Sequence, residues 1–187
     1  MDIVSVAETI KVLSAQYAHT ILIGIEGFGG SGKTTISKHL SQSLGDAHVI
    51  HIDDFIVKEK LLEPAWDTGV FDHGRLEKQV LQPAKSGKPI IYQPLIYDEN
   101  RLGQPTALPP VQFVIVEGIS CYITFLRPYY DIKIWVDTSI EIAMSRGIAR
   151  DGTHGNSKDW KRWAKIDVSY LQKYQPNLVA DYIVTNP

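Results

Sequence analysis

The chain has 187 residues, of which 44% are hydrophobic, and these values predict one α/β domain with a sizeable core. A formal net charge of −2 offers no electrostatic basis for binding nucleic acid or a membrane surface. One cysteine, Cys121, excludes an internal disulfide, and neither a basic leader nor a long apolar run is evident, so we expect a cytoplasmic protein.

The first predicted elements are a helix and a strand. Apolar residues recur at helical spacing within residues 1–18, where Ser5 and Glu8 fit a capping box, and we expect this helix to pack on the sheet. Residues 20–25 form a short apolar run typical of a buried strand.

A glycine-rich loop follows this strand and is the most informative motif of the chain. Residues 27–34 fit G-x-x-x-x-G-K-[ST], in which backbone N–H groups converge on nucleotide phosphates. Lys33 would reach the β- and γ-phosphates of ATP, and the Thr34 hydroxyl would bind Mg²⁺. The predicted nucleotide-binding residues are Gly27, Gly29, Gly30, Ser31, Gly32, Lys33, Thr34 and Thr35. An amphipathic helix follows and is predicted to end at Gly45.

The same glycines also fit the dinucleotide pattern G-x-G-x-x-G. Asp53 then stands about where a dinucleotide-binding protein places its ribose-binding acid. The pair Lys33-Thr34 favours the phosphate loop, because a dinucleotide loop needs neither a lysine nor a hydroxyl after its last glycine.

Strands and helices alternate along the rest of the chain. Strands are predicted at residues 48–52, 111–116, 131–136 and 182–184, and helices from Asp72 to Gly87, from Thr138 or Ser139 to Arg150, and over 160–174. Residues 88–110 are irregular and form a predicted substrate-side insertion, and residues 150–160 form a predicted lid. The fold class is therefore α/β: a three-layer P-loop NTPase fold, with a mostly parallel sheet, helices on both faces and a short lid.

Acidic and basic residues near the predicted strand and helix ends are candidates for catalysis. Asp53 follows an apolar strand and would orient an acceptor hydroxyl and accept its proton, although it could also cap the next segment. Glu117 ends a second apolar strand and would hold Mg²⁺ or contact the hydroxyl. Arg146 and Arg150 share a helix face, from which they would neutralise transition-state charge or simply be solvated.

The chain resembles the uridine kinase-like nucleoside kinases, with nicotinamide riboside kinases and phosphoribulokinase as relatives. The resemblance rests on an ordered series of short motifs after the loop: Asp53-Asp54-Phe55, Phe71-Asp72-His73, Tyr97-Asp98, Val116-Glu117-Gly118, Arg150-Asp151 and Ala180-Asp181-Tyr182. It implies a P-loop kinase that uses MgATP to phosphorylate the 5′-hydroxyl of a ribonucleoside.

The resemblance also implies residue roles. Asp53 matches the family's catalytic acid, and Asp72 matches the aspartate that holds the ribose hydroxyls. Tyr97, or alternatively Tyr92, matches an aromatic residue near the base. Glu117 matches the strand-end glutamate, and Arg146 and Arg150 match arginines of the lid helix.

Three departures from the family pattern concern the acceptor. Gly147 replaces the second of two paired arginines, residues 151–156 lack an Arg-Gly-Arg pattern, and no histidine follows Tyr97-Asp98. The predicted partner is a small-molecule substrate, which is either a nucleoside or another acceptor such as nicotinamide riboside, a sugar phosphate or pantothenate. The sequence also leaves open whether the protein binds ATP without kinase activity and whether it forms a homo-oligomer.

Overall fold

The computed structural model describes residues 1–151 and 157–186. The helices are α1 (Ile3–Ser14), α2 (Lys33–Leu44), α3 (His73–Leu76), α4 (Gln82–Lys85), α5 (Ile140–Asp151) and α6 (Ser157–Tyr174). The strands are β1 (Ile21–Gly27), β2 (Ala47–His51), β3 (Ile90–Tyr92), β4 (Leu95–Ile96), β5 (Arg101–Leu102), β6 (Thr106–Leu108), β7 (Phe113–Glu117), β8 (Ile132–Asp137) and β9 (Tyr182–Thr185). A π-helical turn, Glu77–Leu81, joins α3 to α4.

A parallel sheet forms the middle layer of the domain. Within the described residues it has five strands in the order β2-β7-β1-β8-β9, and each neighbouring pair is parallel. Side chains alternate along β1, so that Ile21, Ile23 and Ile25 face one core and Leu22 faces the other. Helices α1 and α2 cover the first core, and α3, α4 and α6 contribute to the second. The predicted three-layer α/β fold is confirmed.

The strand order also decides between the two interpretations of the glycine-rich loop. Strand β7 lies between β1 and β2, whereas a dinucleotide-binding domain places its first two strands side by side. The loop after β1, the turn after β2 and the residues after β7 all lie at the carboxyl edge of the sheet, where open α/β sheets bind ligands.

Outside this sheet, residues 88–110 contain two short antiparallel pairs. Strand β3 pairs with β6, and β4 pairs with β5, so that one hairpin lies inside another. This arrangement brings Leu95 and Tyr97 to the carboxyl edge of the sheet.

Details at the helix ends differ from the sequence prediction. Asp2 rather than Ser5 caps α1, because the Asp2 carboxylate accepts a hydrogen bond from the Ser5 backbone N–H at 3.0 Å. Of the two caps predicted for α5, the structure shows Ser139, since its hydroxyl accepts from the Ile142 N–H at 3.3 Å. A search of the described residues finds no helix that is long and apolar enough to cross a membrane.

Candidate active site

A cavity of 880 Å³ opens at the carboxyl ends of β1, β2 and β7. It brings together most of the residues predicted from the sequence: Gly29, Gly30, Gly32, Lys33, Thr34, Thr35, Asp53, Tyr97, Glu117, Arg146 and Arg150. Gly27, Ser31, Asp72 and Tyr92 are not among the described residues that line it. Motifs that are far apart in sequence therefore meet at one site. Asp72 and Tyr92, which were predicted to bind substrate, are not among the described residues that line it.

The phosphate loop has the backbone that an anion cradle requires. Gly30 and Gly32 adopt left-handed conformations, with φ of 82° and 94°, which L side chains rarely adopt. A Cβ on Gly30 would also overlap the Ala143 carbonyl oxygen of α5. The buried Lys33 amine donates to the Phe28 carbonyl at 2.8 Å, so it lies across the loop that would hold the phosphates.

A three-residue contact joins the loop to the ends of β2 and β7. The Thr34 hydroxyl donates to Glu117 Oε1 at 2.9 Å, and His51 Nδ1 lies 2.6 Å from the same oxygen. Burial acts to raise the pKa of Glu117, but His51, Lys33 and Thr34 outweigh it and lower the pKa. The hydrogen bond to Glu117 raises the pKa of His51. Glu117 is therefore held as a carboxylate beside the Thr34 hydroxyl.

These oxygens fit a magnesium ion that is delivered with ATP. Within the described part of the chain, no cluster of three or more histidine, cysteine or acidic side chains is placed to hold a metal ion by itself. Mg²⁺ usually keeps several waters and binds through one or two protein oxygens together with substrate phosphates. The Thr34 hydroxyl and the Glu117 carboxylate supply two such oxygens at the edge of the loop.

Two adjacent aspartates follow β2, and their surroundings differ. Asp53 is exposed to the cavity, and desolvation together with the nearby Glu117 carboxylate raises its pKa. Asp54 accepts a hydrogen bond from the Tyr92 hydroxyl at 3.2 Å, and burial raises its pKa as well. Among the residues that the structure describes, no hydroxyl donates to Asp53, whereas the hydroxyl of Tyr92 already binds Asp54.

Contacts within the protein account for the positions of Asp72 and Tyr92. The Asp72 carboxylate accepts from the Arg75 N–H at 2.9 Å and so caps α3, as predicted. The Tyr92 ring is buried and stacks on Phe55, with centroids 5.8 Å apart. By contrast, Tyr97 is half-exposed and lines the cavity, which makes it the better placed of the two tyrosines to contact an acceptor.

Helix α5 carries Arg146 and Arg150 to the other side of the cavity. Arg146 Nη1 donates to the Asn186 carbonyl at 3.3 Å, and Arg150 Nε lies 2.9 Å from Asp151 Oδ1. Asp151 also accepts from Trp160 Nε1 at 2.8 Å, which joins the end of α5 to α6. Residues 152–156 of the predicted lid lie outside the described residues.

Packing between α5 and α6 explains why a glycine stands at position 147, which the sequence alone does not show. A Cβ at this position would overlap the Trp160 ring, which is buried against α5. We expect Gly147→Ala to destabilise the protein by about 2 kcal/mol, because the ring must move out of its packed position. Urea unfolding measures this loss.

Trp160 provides the control for that substitution. In a Trp160→Leu background the overlapping ring is gone, so adding Gly147→Ala should cost at most about 0.5 kcal/mol. An equal loss in both backgrounds would contradict the proposed overlap.

Three residues near the site were not singled out from the sequence. His51 precedes Asp53 by two positions. Its place at the end of a predicted strand is a sequence feature that indicates a site residue. Glu26 is fully buried directly before the loop. The sequence indicates it as well, because an acid stands there inside an apolar strand. Asp167 contacts the loop from α6, where it stands four residues after Trp163 and three before Tyr170, a spacing that places it on the apolar face of the helix.

Comparisons with known proteins indicate the family and the fold of this chain. The family model "Phosphoribulokinase / Uridine kinase family" matches residues 64–159. The chain is 32% identical over 179 residues to the uridine kinase of Latilactobacillus sakei subsp. sakei. The matched region covers 88% of this chain and 80% of that protein. It is 28% identical over 152 residues to inorganic pyrophosphatase TTM2 of Arabidopsis thaliana, which covers 79% of this chain but 22% of that protein.

A solved structure supports the fold. A possible uridine kinase from Bacillus stearothermophilus superimposes with a TM-score of 0.68 at 21% identity, over 96% of this chain and 99% of that one. At this level of identity the likeness concerns the arrangement of the sheet and its helices.

Proposed function

The chain belongs to the phosphoribulokinase and uridine kinase family, which makes it an ATP-dependent kinase, and we propose that its acceptor is the 5′-hydroxyl of a ribonucleoside. One observation carries this proposal: the phosphate loop, the Thr34–Glu117 pair and Asp53 share a single cavity with an aromatic wall. A phosphoryl donor and an acceptor hydroxyl can therefore meet in one enclosed site.

The donor half of the cavity holds MgATP. Backbone N–H groups of residues 27–35 and the Lys33 amine bind the phosphates. Thr34 and Glu117 would hold Mg²⁺, which would neutralise charge on the phosphates. Arg146 and Arg150 line the same half and stabilise the charge that spreads over the transferred group.

Asp53 serves the acceptor hydroxyl. It lies in the cavity at the end of β2, where its carboxylate can orient the hydroxyl towards the γ-phosphate and accept its proton. Its raised pKa makes the Asp53 carboxylate a stronger base than a carboxylate with the ordinary aspartate pKa.

Charge on the acceptor half favours an acceptor without negative charge. The lysine and arginine residues among the described lining residues are Lys33, Arg146 and Arg150, all on the loop or on α5. The opposite wall carries carboxylates and large apolar groups, contributed by Asp53, Asp54, Ile56, Leu61, Trp66, Phe71, Leu95 and Tyr97. None of the described lining residues on this wall supplies a cation for a phosphate or carboxylate on the acceptor, whereas a nucleoside base can stack on aromatic rings.

An acceptor screen tests the proposal. We expect ADP formation to rise at least about tenfold with one or more ribonucleosides, or with nicotinamide riboside, and to stay at background with ribulose 5-phosphate and pantothenate. The 5′-deoxy form of the best acceptor is the matched control and should give no product. Stimulation by an anionic acceptor alone would overturn the substrate class, and ATP binding without any stimulation would indicate a protein that has lost kinase activity.

A further inference from the structure

One carboxylate on α6 joins two walls of the cavity. Asp167 is 3% exposed, and its two oxygens accept hydrogen bonds from different elements. Oδ2 accepts from the backbone N–H of Gly29 in the phosphate loop at 2.8 Å. Oδ1 accepts from the indole N–H of Trp66 at 2.6 Å, and Trp66 lines the cavity from the segment of residues 56–71.

The same segment is attached to α6 at other points. The Asp67 carboxylate accepts from the Lys173 amine and the Tyr174 hydroxyl, and Arg162 donates to the Leu61 carbonyl at 2.9 Å. These contacts hold residues 56–71 against α6, but they do not touch the phosphate loop. Asp167 differs from them because it contacts the segment and the loop at once.

We propose that Asp167 is a positioning residue that couples nucleotide binding at the phosphate loop to the acceptor wall at Trp66. The coupling rests on the proposed assignment of the loop as the ATP site. Phosphates that reposition the Gly29 N–H move the Asp167 carboxylate, and Trp66 follows because its indole N–H is bound to the other oxygen. Both partners are donors, so the link requires two acceptor oxygens on one side chain.

An amide at this position cannot keep both contacts. In Asp167→Asn one oxygen becomes an NH₂ group, which must face either the Gly29 N–H or the Trp66 N–H. Asp67→Asn is the matched control, because it makes the same chemical change at a neighbouring attachment of the segment to α6 that does not reach the loop.

The test records the indole N–H resonances of the four tryptophans by NMR, with Trp66→Phe identifying the Trp66 signal. Calorimetry first establishes that the parent binds Mg²⁺ with the ATP analogue AMP-PNP; failure of this step contradicts the proposed function rather than the coupling. With binding in hand, the analogue should shift the Trp66 resonance in the parent and in Asp67→Asn. The shift should fall at least about threefold in Asp167→Asn.

Two outcomes would overturn the coupling: an unchanged Trp66 shift in Asp167→Asn, or an equal loss of the shift in Asp67→Asn. If Asp167→Asn does not fold, Trp66→Phe supplies the second measurement. Removing the indole donor leaves one oxygen of Asp167 unpaired, and AMP-PNP should then bind about fivefold more weakly. An unchanged affinity in Trp66→Phe would overturn the proposal as well.

Discussion

Replacing Asp53 by asparagine is expected to lower kcat about 10³-fold, which corresponds to a loss of roughly 4 kcal/mol of transition-state stabilisation. Asparagine keeps the size of the side chain and can still accept one hydrogen bond from the acceptor hydroxyl, but it cannot take the proton. The affinity for Mg²⁺ with AMP-PNP should stay within about threefold of the parent, since Lys33 and the loop backbone are untouched. Steady-state kinetics with the best acceptor and calorimetry with the analogue measure the two effects.

Asp54→Asn is the control that the chain offers for this substitution. Asp54 is the next residue, but its carboxylate accepts from Tyr92 and its carbonyl accepts from Arg75 Nη2 at 2.9 Å. We expect its kcat to fall less than about tenfold. Comparable losses in the two variants, or an Asp53→Asn enzyme within tenfold of the parent, would contradict the assignment of Asp53 as the base.

The parts of the site that the sequence predicts are those encoded by local patterns. The buried strand, the glycine-rich loop and the helix after it occupy contiguous residues, so hydrophobic spacing and the loop motif predict each of them and their order. Asp53 and Glu117 were found because acids that end apolar strands of a parallel sheet lie at one edge. Their proximity to the loop follows from topology and needs no side-chain detail.

The parts that the sequence does not predict depend on contacts between distant residues. Asp167 lies 138 positions from Gly29 and 101 from Trp66, so the helical spacing can place it on the apolar face of α6 but cannot identify these two partners. The sequence shows Gly147 only as a position where relatives have an arginine. The structure adds that the Trp160 ring packs against it and leaves no room for a Cβ. Asp72 and Tyr92 were assigned by resemblance, and their substrate roles stay predictions, because both lie outside the cavity wall.

Glu26 leads to a large predicted effect on stability. This residue is fully buried directly before the phosphate loop, and one of its oxygens accepts from the Tyr122 N–H at 2.8 Å and from the Tyr170 hydroxyl at 3.2 Å. The other oxygen lies among the buried polar atoms without a hydrogen-bond partner in the described structure. Desolvation raises the pKa of Glu26 from 4.5 to about 8. The folded protein therefore holds this side chain protonated at neutral pH.

The sign of the pH dependence follows from these two values. Above pH 4.5 the unfolded chain releases the proton while the folded protein keeps it, so the contribution of Glu26 to the free energy of unfolding falls as pH rises. The fall continues to about pH 8, where the folded protein also loses the proton. Across this window the loss is on the order of 5 kcal/mol.

Glu26→Gln should remove this dependence. Glutamine has nearly the same shape and is uncharged, and its carbonyl can keep the contacts with Tyr122 and Tyr170. We therefore expect the variant to match the parent near pH 5 and to be more stable than the parent at pH 8 by a few kcal/mol. Urea unfolding at pH 5, 6.5 and 8 measures the difference, and Glu8→Gln, an exposed change on α1, is the control. If the difference between parent and Glu26→Gln is the same at pH 5 and pH 8, Glu26 does not carry a buried proton, and the carboxylate must instead be charged beneath the phosphate loop.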